Sequence, residues 1–94
     1  MKEKVIKSSG NVFADLGFTP EEAAVLQLRS DLMATVRDSI AKHGWTQSDA
    51  AKELHISQSR VSDLIRGKRD KFSLDMLVTL ATRAGNKVAL AIAA

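Results

Sequence analysis

Cysteine is absent from this 94-residue chain, and proline occurs only once. Without cysteine there is no disulfide framework, no thiolate zinc site and no cysteine nucleophile. The two histidines, His43 and His55, are too few for a three-ligand metal site. We also find no nucleophile–base pair, carboxylate pair or phosphate loop at a meaningful spacing. The sequence therefore predicts no catalytic residue, no metal and no cofactor, and we expect a protein that is not an enzyme.

Long apolar runs are missing as well, so we expect no membrane-spanning helix. The first ten residues, MKEKVIKSSG, lack the apolar segment of a signal peptide, and we expect a cytoplasmic protein. A chain of this mass buries about 64% of its unfolded surface when it folds. That is enough for one small core and leaves little room for a walled active-site cavity.

Positive charge is present and is unevenly distributed. The net charge is +3 and the pI is about 9.5. Residues 1–45 contain six basic and six acidic groups, whereas residues 46–94 contain eight basic and five acidic groups. Five basic residues fall between positions 60 and 71: Arg60, Arg66, Lys68, Arg69 and Lys71. A local basic patch indicates polyanion binding, and the alternative is a solvated charged loop.

Helical periodicity begins at residues 19–22, which read TPEE. Thr19 is a suitable N-cap, Pro20 suits the first turn, and Glu22 stands at the capping-box position. Apolar residues then recur with a period of about 3.6 from Val25 to Ile40. Gly44 is the natural C-cap. The pattern predicts a long helix over 20–43.

Three shorter helices follow, with Thr46, Ser57 and Ser73 as their N-caps. Gly67 and Gly85 are suited to end the second and third of them. The residues that we expect to face inward are Ala50, Ala51, Leu54, Val61, Leu64, Ile65, Leu74, Leu77, Val78, Leu80 and Ala81.

The tail changes to an alternating pattern in Lys87–Ala93, which predicts a β-strand. A single strand needs a partner for its backbone groups. We favour the same strand of a sister chain, and the alternative is the N-terminal arm through Lys4–Ile6. The chain thus divides into an arm (1–18), a helical domain (19–85) and a C-terminal strand (86–94).

The segment Thr46–Gly67 reads TQSDAAKELHISQSRVSDLIRG. Two short capped helices are separated by three residues, and the small Ala51 lets the second helix cross the first closely. This is the spacing of a helix-turn-helix unit. Residues 32–84 closely resemble the lambda-repressor-like (XRE, Cro-type) family, especially in SQSRVSDLIRGK. The resemblance implies a mainly α fold of four to five helices with a short C-terminal strand.

One position departs from the family pattern, because His55 stands where the family usually has glycine. That position needs a left-handed backbone, which histidine adopts at some cost.

In a helix-turn-helix domain, the N-terminal turn of the second helix leads into the major groove. The residues that we expect to contact bases are Gln58, Ser59, Arg60, Ser62 and Asp63. The residues that we expect to contact phosphates are Thr46, Gln47, Ser57, Arg66, Lys68, Arg69 and Lys71. Alternatives stay open: Ser57 is a cap, Asp63 pairs with a nearby arginine, Arg60 is solvated or ion-paired, and Gln58 and Ser59 are ordinary polar surface.

Nearly the whole chain resembles the small HigA-type antitoxins of the same family. The resemblance implies a repressor of its own operon that binds a ribonuclease toxin of the RelE/HigB type. The arm residues Phe13, Leu16 and Phe18 are candidate toxin contacts, unless the arm packs on its own or a sister core. Val88, Leu90 and Ile92 are candidates for homodimerisation on double-stranded operator DNA. The alternatives are a stand-alone XRE-family regulator and a protein-interaction module that no longer binds DNA.

Overall fold

The computed structural model describes residues 3–6 and 12–93. The elements along the chain are β1 (Glu3–Ile6), α1 (Val12–Asp15), α2 (Pro20–His43), α3 (Gln47–Leu54), α4 (Gln58–Ile65), α5 (Leu74–Arg83) and β2 (Lys87–Leu90). A single 3₁₀ turn, Arg69–Lys71, lies between α4 and α5. The prediction of a mainly helical fold with a short C-terminal strand is confirmed. No helix in the described part of the chain is both long and apolar enough to cross a bilayer.

The four longer helices begin at the predicted N-caps. Thr19 forms a capping box with Glu22, in which the Thr19 N–H donates to Glu22 Oε1 over 3.0 Å. Thr46 forms a second box with Asp49. Ser57 and Ser73 each accept one backbone N–H through their hydroxyl oxygens. These bonds satisfy amide donors that a helix cannot pair internally, so each cap fixes where its helix starts.

The core lies between α2 and the three helices that follow it. Its fully buried side chains are Met33, Val36, Ala50, Leu54, Val61, Leu64, Leu77, Leu80 and Ala81, and Phe72 joins them from the loop before α5. Ala50 is buried completely and Ala51 only partly. Ala50 is therefore the small residue of α3 that lies inside the core, and Ala51 packs against the core from its edge.

Two residues that we expected to face inward are exposed, Ile65 and Val78. Each follows a fully buried leucine, Leu64 or Leu77. Adjacent positions on an α-helix are rotated by about 100°, so the burial of one turns its neighbour away from the core. The prediction from periodicity alone therefore assigned too many residues of α4 and α5 to the buried face.

The arm supplies the partner of the C-terminal strand. β1 and β2 pair in parallel, with Val5 opposite Ala89 and Ile6 opposite Leu90. We had favoured a sister strand as the partner of β2, and within one chain the structure shows the alternative, the N-terminal arm. β1 belongs to the same chain and covers one edge of β2. The strand also ends at Leu90, earlier than the alternation predicted. The arm further contains the one-turn helix α1, which is too short to produce a periodic signal.

Candidate nucleic-acid interface

The turn between α3 and α4 fixes the angle of the second helix. His55 adopts a left-handed backbone, with φ 58° and ψ 42°, as the resemblance implied. The Ile56 N–H donates to the Ala51 carbonyl over 3.1 Å and closes the end of α3. Ser57 then caps α4. Three residues are enough to redirect the chain because each of them makes or permits one defined backbone interaction.

The first turn of α4 presents Gln58 and Ser59 to solvent. On the core-facing side of the same helix, Val61 and Leu64 are fully buried. The core therefore fixes the helix while its polar N-terminal turn stays open to a ligand. This is the arrangement required of a helix that enters the major groove with that turn leading.

Arg60 takes a different position from its exposed neighbours. Its side chain is half-buried, and its guanidinium carbon lies 4.7 Å from the centre of the Phe72 ring. Cation–π attraction favours this stacking. The sequence offered base contact, solvation or an ion pair for Arg60, and it gave no signal for this contact with a ring twelve positions away. Arg60 is therefore held against the loop that follows α4.

Asp63 forms an ion pair with Lys68, with Asp63 Oδ1 3.7 Å from Lys68 Nζ. The pairing alternative thus holds in kind, although the partner is a lysine and not an arginine. The Lys68 N–H also donates to the Asp63 carbonyl over 3.0 Å. Surface ion pairs of this kind are weak, so both charges remain available to a polyanion or a base edge.

A basic loop follows α4, and the structure brings together the predicted phosphate contacts on it. Arg66, Lys68, Arg69 and Lys71 are all exposed. The Arg69 guanidinium carbon lies 4.9 Å from the centre of the Phe13 ring. This contact joins the arm to the basic loop, and no sequence pattern predicted it.

Three phosphate candidates remain: Thr46 and Gln47 lie at the start of α3, and Ser57 is the N-cap of α4. Thr46, Gln47 and Ser57 are exposed. The hydroxyls of Thr46 and Ser57 are engaged as caps, so their first role is structural. Asp49 also accepts the Thr46 N–H over 3.1 Å and places a carboxylate at this helix terminus. Gln47 is the side chain of this set that no capping bond engages.

The candidate partner contacts on the arm divide into two groups. Phe13 is only 7% exposed and lies edge-on against Phe18, with ring centres 6.0 Å apart. Its burial leaves Leu16 and Phe18 as the exposed members of this candidate set. Leu16 is 72% exposed, and Phe18 lies at the edge of an open groove of about 480 Å³. The groove is lined by Phe18, Glu21, Glu22, Val25, Leu26 and Arg29.

The candidate dimer contacts also divide. Val88 is half-buried and packs on the core of its own chain. Leu90 and Ile92 are 62% and 87% exposed. Val88 therefore anchors the strand within the chain, and only the two later residues are open to a partner.

Two short helices joined by a three-residue turn, with a buried face on the second helix and a polar leading turn, define a helix-turn-helix domain. A family model for a helix-turn-helix domain matches residues 12–93, and the chain belongs to this family. Membership indicates a DNA-binding regulator. No curated protein and no solved structure matches the chain significantly.

Proposed function

We propose that this protein is a sequence-specific repressor of the XRE type that acts in the cytoplasm without catalysis. The observation that carries the proposal is the exposed N-terminal turn of α4, a helix whose Val61 and Leu64 are fully buried in the core. Gln58 suits a bidentate contact to adenine, and Ser59 suits either kind of base edge. The exposed basic loop that follows supplies phosphate contacts, which position the protein without reading sequence.

The proposal extends to an antitoxin of the HigA type, which represses its own operon and binds a RelE/HigB-type ribonuclease toxin. Support comes from three exposed apolar side chains, Leu16, Phe18 and Val25, of which Phe18 and Val25 line the same groove. Glu21 and Glu22 line the adjoining groove, and their charge suits a basic protein. Apolar residues grouped on one exposed surface are typical of a protein-binding site.

Binding as a homodimer completes the proposal. One module of this size reads few base pairs, and two copies on two half-sites supply useful specificity. β1 already pairs with one edge of β2, so a second copy would use the other edge together with Leu90 and Ile92. Hydrophobic burial of these two exposed side chains would favour the association.

The repressor proposal is tested by titrating the protein against its own promoter and against a random duplex at physiological salt. We expect promoter DNA to bind at least about a thousandfold more tightly, the lower range for specific binding. Equal affinities would refute sequence-specific repression. Co-expression with the product of the adjacent reading frame tests the antitoxin. Failure to co-purify would favour the stand-alone regulator.

Two variants separate the proposed partner surface from the proposed dimer surface. Leu90→Glu/Ile92→Glu places charges on exposed positions, so we expect a monomer in sedimentation that still binds the toxin. Leu16→Glu is the matched control on the arm, and we expect a dimer that has lost the toxin. The same loss in both variants would contradict the division into two surfaces.

A further inference from the structure

Two arginines of α2 lie beside the basic loop although neither belongs to the helix-turn-helix motif. Arg29 lines a groove of about 260 Å³ together with Leu26 and residues 67–70. Arg37 lies two turns further along α2, and its Nη1 would be 3.3 Å from a methyl group placed on Gly67. Both side chains are half-buried. α2 therefore forms one wall of a groove whose other wall is the basic loop.

The guanidinium groups of these arginines have no ion-pair partner within the described chain. Arg29 Nε is buried without a hydrogen-bond partner in the same set of residues. A half-buried guanidinium without an acceptor is unfavourable, and an anion in the groove would supply an acceptor for its outer nitrogens. Asp70 lines this groove, and Glu21 and Glu22 line the neighbouring groove that also contacts Arg29. None of these carboxylates lies within 4.0 Å of Arg29 as an ion pair in the described structure.

Charge in the groove is predominantly positive. Arg29, Lys68 and Arg69 line it beside a single carboxylate, that of Asp70. Lys68 also forms an ion pair with Asp63, so one wall of the groove contacts the helix proposed to read DNA. A guanidinium presents paired N–H donors that match two oxygens of one phosphate.

We propose that Arg29, in the groove between α2 and residues 67–70, and Arg37, beside Gly67, each bind a backbone phosphate of DNA. The DNA footprint then extends beyond the helix-turn-helix motif onto α2. The inference rests on DNA binding by the domain and adds a binding site to it. Because a phosphate carries no sequence information, the two arginines contribute equally on every DNA sequence.

The experiment compares Arg37→Gln, Arg37→Lys and Arg29→Gln with wild type, using a random-sequence duplex across a range of salt concentrations. Losing one phosphate contact lowers the slope of log K against log salt by about 0.9 per bound protomer. The same relation gives about an eightfold loss of affinity at 0.1 M salt that vanishes towards 1 M. We expect this result for Arg37→Gln and Arg29→Gln, and a wild-type slope for Arg37→Lys, which retains the charge.

Lys52→Gln is the matched control, since it removes one exposed positive charge from the last turn of α3. We expect its slope to equal that of wild type. Thermal unfolding of every variant identifies any loss of folding, and Arg37→Lys against Arg37→Gln keeps the comparison within one position.

A wild-type slope for both glutamine variants, alongside a lower slope for Arg69→Ala, would overturn this inference and leave DNA binding intact. An equal loss in Lys52→Gln would overturn it too, because the effect would then be one of net charge. If wild type bound no duplex at low salt, DNA binding and the inference would fail together.

Discussion

Replacing His55 by glycine tests the geometry of the turn that directs α4. At φ 58° the Cβ of any L-residue crowds the backbone, and glycine has no Cβ. The His55 side chain is exposed and makes no hydrogen bond or ion pair within the described residues. Its removal therefore costs little contact energy, and the backbone term decides the sign.

The expected gain in the free energy of unfolding is the difference between two opposing terms. A left-handed conformation costs an L-residue about 1–2 kcal/mol. Glycine gives the unfolded chain more freedom, which offsets about 0.4–1 kcal/mol of that relief. The middle of each range leaves a net stabilisation of about 0.8 kcal/mol. For a domain of this size it corresponds to a rise in Tm of about 2–8 °C.

Thermal and urea unfolding followed by circular dichroism measure this change. Lys52→Gly is the control, because glycine at a position with helical backbone in α3 should lower the free energy of unfolding by about 1 kcal/mol. His55→Asn should fall near wild type or slightly above it, since asparagine tolerates the left-handed region. A lower Tm for His55→Gly, with normal unfolding cooperativity, would refute the assigned turn geometry.

Three further predictions concern binding and folding. Gln58→Ala should lose about 1–3 kcal/mol of binding free energy on the operator and relax the preference at one base position, whereas Arg69→Ala should weaken binding to all sequences equally and lower the salt slope by about one. Titrations on operator and random DNA measure both effects. Identical behaviour of the two variants would refute the division into base-reading and phosphate-binding residues. Phe72→Ala should cost about 3–5 kcal/mol in urea unfolding, because Phe72 is buried in the core, and a loss below 1 kcal/mol would contradict that packing. Hydrogen bonds from the Thr19 backbone and side chain lower the pKa of Glu22, so the contribution of Glu22 to stability is present above its unfolded-state pKa and is lost as the pH falls through its folded-state pKa. Glu22→Gln should therefore show a smaller loss of Tm on acidification than wild type. A pH profile of Tm equal to that of wild type would count against the capping box.

Local chemistry made the helices predictable. Thr19, Thr46, Ser57 and Ser73 act as caps through residues three positions away, so the sequence contains both partners of each bond. The left-handed backbone at His55 was predictable from the resemblance, since the family usually has glycine at that position.

Contacts between distant segments were not predictable. Arg60 lies on Phe72 and Arg69 on Phe13, and neither pair has a fixed spacing that a pattern could reveal. The partner of the C-terminal strand was one of two candidates, and no local sequence pattern reveals which of them lies beside the strand. Periodicity likewise could not place Ile65 and Val78 outside the core, because it gives the direction of an apolar face but not its width.

The two halves of the DNA-binding surface depend on different supports. The first turn of α4 is fixed by Val61 and Leu64, which belong to the central core. The basic loop instead contacts an aromatic side chain of the arm, since Phe13 lies under Arg69. A substitution under the loop therefore moves phosphate contacts while the base-reading turn stays in place, and affinity changes without a change in sequence preference. A substitution under α4 shifts the reading turn itself, so specificity and affinity change together.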